Sequence, residues 1–138
     1  MKNKLWVGLV ISIAVALIGV TYQKFLKSPH CAFDGSAVPP IYEVDIVLKD
    51  HSVKRFCSIY CAVQWFKKNN QRIDHVLVTD EIRGTKLDSY IAYFVESELI
   101  TNETNKNRIH VFQQRQDALT HAEKFRGEIT DDPFTLDD

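Results

Sequence analysis

Arg55-Phe56-Cys57-Ser58-Ile59-Tyr60-Cys61-Ala62-Val63-Gln64-Trp65-Phe66 carries two of the three cysteines in this chain across a change of pattern. Up to Phe56 the residues read as a strand, and beyond Ser58 they read as a helix. Ser58 is a good N-cap, and Ile59, Ala62, Val63 and Phe66 follow at helical spacing. Asn69-Asn70 closes that helix. Working backwards, residues 42–48 alternate and are rich in branched side chains, which predicts a strand. Lys49-Asp50-His51-Ser52 predicts a tight turn and residues 53–56 the returning arm of a hairpin. Val38-Pro39-Pro40 breaks regular structure before it. Working forwards, residues 73–78 predict a further strand, and Arg83-Gly84-Thr85 a turn.

Residues 90–95 predict a buried strand, 101–107 a polar loop and 108–112 another strand. Residues 117–126 predict a helix with Ala118, Ala122 and Phe125 on one face, Gly127 as its C-cap, and Lys124 and Arg126 in its last turn. Strand, strand, helix, strand thus recurs, and a shift of 56 residues superposes Phe56 on Phe112 and Ala62 on Ala118. The expected fold class is α+β: an N-terminal transmembrane helix followed by a small domain of two ββαβ units, with halves at about 31–80 and 86–130. The second copy has Gln113 and Asp117 where the first has Cys57 and Cys61. Chemistry is therefore expected in the first half, with the second as scaffold or partner surface.

Residues 5–22 run for 18 positions without a charge. As a helix they would cover about 27 Å, close to the hydrocarbon thickness of a bilayer. Met1-Lys2-Asn3-Lys4 is positive and is expected to stay cytoplasmic. The reading is an uncleaved anchor over residues 1–27, with residues 28–138 facing the periplasm or cell exterior. A cleaved signal peptide is the alternative, and it puts the domain on the same side. With Lys2 and Lys4 set aside, 15 basic residues face 18 acidic ones, so no nucleic-acid-binding face is expected. Glu128, Asp131, Asp132, Asp137 and Asp138 read as a solvated tail. There is no paired-carboxylate pattern, glycine-rich phosphate loop or serine elbow, and no enzyme is expected.

An odd number of thiols outside the cytoplasm leaves at least one without a disulfide partner. Cys57 and Cys61 flank the first turn of a helix, so their sulfurs can converge, and the helix N-terminus favours thiolate there. Cys31 can join them from the loop before the hairpin. Three thiolates suit soft ions, Cu(I) first and Zn(II) as the alternative. Asp34, three residues after Cys31, is a further candidate ligand that suits Zn(II) better. Two other readings stay open: a Cys57–Cys61 disulfide, and plain buried cysteines. His30 and His51 read as exposed, and His75, His110 and His121 as structural or solvent-facing. Met1 is the only methionine, which excludes a thioether site in the folded part.

Phe56-Cys57-Ser58-x-x-Cys61 followed by Trp65-Phe66, with Cys31 upstream, resembles the TRASH/YHS-like treble-clef domains, implied to sense or traffic heavy metals. Their usual second cysteine is Asp34 here. The whole chain is more similar to the NosL family of membrane-attached, periplasmic copper-accessory proteins associated with nitrous oxide reductase. The matching residues are Cys31-x-x-Asp34-Gly35, Val78-Thr79-Asp80, Ala92-Tyr93-x-Val95, Phe112, Ala118, Phe125 and Gly127. This resemblance implies a doubled strand-strand-helix-strand fold related to the organomercurial lyase core, and a role as copper chaperone to a metal-receiving client. The sequence departs from that family at its Cys-Gly-Met loop, which is Asp34-Gly35-Ser36 here, at a missing methionine before the late strand, and at its lipid-bearing cysteine, which the helical anchor replaces. The expected function is a membrane-anchored metal-binding accessory protein using Cys31, Cys57, Cys61 and Asp34. The alternatives are a thiol-disulfide protein using Cys57 and Cys61, or a TRASH-like sensor or scaffold.

Overall fold

A computed structural model describes residues 29–135. The run read as an anchor lies outside them, and no helix among the described residues is long and apolar enough to cross a membrane. The branched, alternating run becomes β1 (Val44–Leu48), which pairs antiparallel with β2 (Val53–Phe56) across the turn at His51. Helix α1 (Ile59–Asn69) follows, and β3 (Ile73–Thr79) returns along the other side of β1. A short β4 (Lys86–Asp88), which the sequence reading did not anticipate, extends this sheet to the order β2-β1-β3-β4. In the second sheet β5 (Tyr93–Glu96) lies between β6 (Ile109–Phe112) and β7 (Glu128–Thr130), with helix α2 (Arg115–Lys124) between the latter two in sequence.

The fold is thus a small α+β domain of two sheets and two helices. The 56-residue shift holds at element boundaries: β2 ends at Phe56 and β6 at Phe112, while the helices start at Ile59 and Arg115. Ile46, Phe56 and Ala62 are buried in the first sheet's core, and Val95, Phe112 and Ala118 form the cluster under α2. The connection from β5 to β6 (residues 97–108) has twelve residues against four in the turn from β1 to β2 (residues 49–52), so it is longer by eight.

Successive strand residues point to opposite faces. Phe94 and Val111, paired in register, turn into the main core with Val44, Ile46, Phe56 and Phe66, while Val95 and Phe112 turn toward α2. One core therefore spans both sheets. Two buried-side links reinforce it. Asp80, fully buried after β3, accepts hydrogen bonds from Ile82 N, Arg83 N and Gln113 N, and pairs with Arg83. Glu81 bonds Val111 through backbone and side chain.

Three expectations need correction. Residues 90–95 are not one buried strand: Ser89–Ile91 form a 3-10 turn that leaves Tyr90 77% and Ile91 53% exposed, and pairing begins only at Tyr93. Gly127 is not the residue that turns the end of α2. Arg126 takes the left-handed conformation (φ 50°), and Gly127 N donates to Ala122 O at 2.8 Å, a Schellman closure. Nor is the acidic end wholly a solvated tail. Glu128 lies in β7, and Phe134 is buried against Phe66 and Phe94, with ring centroids 5.5 and 6.4 Å apart.

Candidate metal centre

Residues 30–37 form a loop closed on itself by the His30–Ala37 bridge. Cys31 N donates to Ser36 O, and Gly35 N to Cys31 O at 2.9 Å, a knuckle for which Gly35 supplies φ +75°. Ala32 N donates to Arg55 O, which fixes the loop two residues ahead of Cys57. Ser58 caps α1 by accepting from Cys61 N at 3.3 Å, so Cys57 sits just before the helix and Cys61 in its first turn, as the spacing predicts.

These local structures bring Cys31, Asp34, Cys57 and Cys61 together, with one ligand atom from each within 4.8 Å of all the others. The three cysteines are free and buried, whereas Asp34 is exposed. Cys57 Sγ lies 3.8 Å from Cys61 Sγ, and Asp34 Oδ2 lies 3.4 Å from Cys61 Sγ. Ser36 Oγ donates to Asp34 Oδ1 (2.6 Å) and lies 3.2 Å from Cys57 Sγ. His30 and His51 are exposed and stand outside the cluster. His110 is buried, bonding Glu81 and Leu99 O, and stacks on His121 at 4.1 Å.

Electrostatics here differ from a bare helix N-terminus. Burial pushes the Cys61 thiol far up, aided by the neighbouring sulfurs of Cys57 and Cys31 and only partly countered by Ser58. Burial also raises Cys31, against backbone N–H groups of Asp34, Cys57 and Phe33 that pull it down. The expected lowering by the helix N-terminus is therefore overridden at Cys61, because removal from water penalises the thiolate more than the local dipole helps it. Asp34 goes the other way. Burial opposes its ionisation, but hydrogen bonds from Ser36 Oγ, Ser36 N and the thiols of Cys31 and Cys61 hold it at about 2. Without an ion, then, the cluster is an ionised carboxylate accepting from protonated thiols. A cation that displaced those protons would find the same four atoms in place as ligands. The donor set fits a soft or borderline ion, three sulfurs and one oxygen.

A group of residues not anticipated in the sequence also reaches the sulfurs. The long β5–β6 connection brings Asn105 Nδ2 to 3.1 Å from Cys61 Sγ and Asn102 Nδ2 to 3.6 Å from Cys57 Sγ, and Asn107 Oδ1 accepts from Tyr60 N. The second half is thus more than scaffold, since it supplies part of the lining. The signal for this in the sequence is the eight-residue excess over the matching turn, which carries Asn102, Asn105 and Asn107.

No protein-family model matches the chain, and neither does any curated protein. Among solved structures, the crystal structure of the copper chaperone NosL from Shewanella denitrificans is similar, with a TM-score of 0.65 at 18% identity. The match covers 74% of this chain and 85% of that one. At such identity a likeness speaks for architecture, and on that ground the described domain is NosL-like in fold.

Proposed function

We propose that this chain is a membrane-anchored, extracytoplasmic metal-binding accessory protein that carries Cu(I) at Cys31, Cys57 and Cys61 and passes it to a client protein by ligand exchange. The observation that carries this reading is the meeting of three buried free thiols with Asp34, the one exposed member of the cluster. Three sulfurs satisfy Cu(I) and leave room for an incoming ligand, as transfer requires. The NosL-like fold supports the choice of copper, since the similar solved structure is a copper chaperone. The apolar run over residues 5–22 supports the anchor and, with Lys2 and Lys4 before it, the outward orientation of the domain. The role is binding and delivery, without catalysis.

Copper content of the full-length protein, reduced and loaded in detergent, tests the reading. About one Cu(I) per chain is expected, with loss of retention in Cys57→Ser and Cys61→Ser; retention unchanged in both variants refutes it. A second reading, Zn(II) with Asp34 as fourth ligand, is favoured by the 3.4 Å approach of its carboxylate to Cys61 Sγ. The 3.8 Å between Cys57 and Cys61 sulfurs favours a third, a reversible disulfide. Thiol titration of protein taken directly from the envelope separates the third from the other two.

A further inference from the structure

We propose that Asn105 and Asn102, on the second half's β5–β6 connection, are positioning residues of the metal centre: their amide N–H groups clamp the sulfurs of Cys61 and Cys57 and fix them for the ion. The proposal rests on the reading of the cluster as a metal site. It deepens that reading by making the site a joint product of both halves of the fold.

The hydrogen-bond network settles which way each amide points. Asn102 Oδ1 accepts from Thr104 N (2.9 Å) and Asn105 N (3.3 Å), so its Nδ2 is the end facing Cys57. Asn105 Oδ1 accepts from Asn107 N at 3.2 Å, leaving Nδ2 for Cys61 Sγ (3.1 Å), Ser58 Oγ (3.1 Å) and Cys57 Sγ (3.8 Å). Asn107 locks the loop in place: Oδ1 accepts from Tyr60 N, and Nδ2 donates to Thr101 Oγ1 (2.7 Å) and Ile109 O (2.9 Å). The loop is thereby tied to the first turn of α1, between the two cysteines it serves.

An amide N–H has nothing to offer a thiol's proton, but it stabilises a sulfur that carries charge. Three thiolates and a carboxylate surrounding Cu(I) leave a net charge of −3, and around Zn(II) a net of −2. The side-chain donors that reach the sulfurs are the amides of Asn102 and Asn105, which disperse this charge. Being uncharged, they do so without placing a permanent cation where one must arrive and leave. Outer donors of this kind orient ligands and set metal affinity.

The test is Cu(I) affinity and release, measured on the full-length protein in detergent by competition with bathocuproine disulfonate. Asn105→Asp keeps the side chain's shape and its bond from Asn107 N but turns an acceptor toward Cys61. Affinity is expected to fall about tenfold or more, with the copper-to-chain ratio unchanged. Its copper–thiolate absorption is expected to move to longer wavelength, because a sulfur deprived of its donor holds its electrons less tightly. A loop that merely supports the fold does not produce that shift. Asn102→Ala is expected to act in the same direction and more weakly. Affinity and absorption in Asn105→Asp equal to wild type overturn the proposal. If wild type binds no Cu(I), the proposed function fails instead, and the loop is judged on the metal-free protein with the size-conserving Asn105→Asp. Alkylation of Cys61 by N-ethylmaleimide, mapped by peptide mass, is then expected to slow about tenfold, because the thiolate that reacts loses its donor, while Cys31 stays unchanged. Equal rates at Cys61 overturn the clamp.

Discussion

The carboxylate of Asp34 stands 3.4 Å from the sulfur of Cys61 and is held ionised by Ser36 and the thiols around it, although the sulfurs themselves are buried. A hard, exposed donor therefore guards soft, hidden ones. In the proposed function it is the first ligand an arriving ion meets and the one most easily given up on departure.

Replacing that oxygen should separate the two candidate ions. In Asp34→Ala, Zn(II) affinity is expected to fall about tenfold or more, because a four-coordinate site loses a ligand. Cu(I) affinity should change by less than about threefold, since three thiolates already satisfy it. Competition titrations with each ion give the two ratios, and equal losses would show that the carboxylate does not discriminate.

Loading should stabilise the domain by mass action. At a free Cu(I) concentration 100 times Kd the unfolding free energy is expected to rise by about 2.7 kcal/mol, provided the unfolded chain binds much more weakly. Urea unfolding with and without the ion reads this directly. A chelator should abolish the difference, and Cys57→Ser should never show it.

Two glycine substitutions should fail for different reasons. A Cβ at Gly127 would lie 2.5 Å from Glu96 O and 2.7 Å from Ser97 Cβ, so Gly127→Ala must push α2's exit away from β5. Overpacking of this kind costs about 1–3 kcal/mol. Gly84 has open space around it but φ +68°, so Gly84→Ala is expected to cost about 1 kcal/mol through its backbone alone. Denaturation midpoints rank the two, and a neutral Gly127→Ala would contradict the packing account.

Acid should weaken the second half through His121. Burial, then the imidazole of His110 and the ammonium of Lys124, lower it from 6.5 to about 4. Ser97 Oγ at 3.2 Å and the rings of Phe112 and Phe125 complete its surroundings, and His110 in turn bonds Glu81. Between those two pH values the unfolded chain binds a proton that the folded chain excludes. This contribution is fully present above pH 6.5 and is lost as pH falls toward 4. The urea midpoint of wild type should drop between pH 7.5 and 5, and His121→Phe should shrink that drop. An identical drop in the variant would assign it to other groups.

Local signals made the frame legible before the structure did. The alternation around Val44 and Ile46, the Ser58 cap and the matched pairs Phe56–Phe112 and Ala62–Ala118 are each written within a few residues, and each reports a face or a boundary. The cysteine cluster was legible because α1 and the 30–37 loop have sequence marks of their own. What escaped was decided at a distance. Tyr90 and Ile91 look like strand interior by composition, but a 3-10 turn rotates them outward. Asn105 meets Cys61 across 44 positions of chain, and an asparagine in a polar loop has no periodicity to betray its target. The rise in the Cys61 thiol was missed for a related reason. A helix start can be read from sequence, whereas the depth at which it is buried depends on everything packed over it.

The eight extra residues between β5 and β6 also bear on a matter of counting. A chain with two matched halves has two matched positions for a cargo, yet Gln113 and Asp117 occupy the places that Cys57 and Cys61 take in the first. The second half has no such pair of thiols and instead reaches its neighbour's through Asn102 and Asn105. In the proposed function one chain therefore carries one ion, and the halves are unequal: separated from its twin, the first would keep its thiols but lose the amides that reach them.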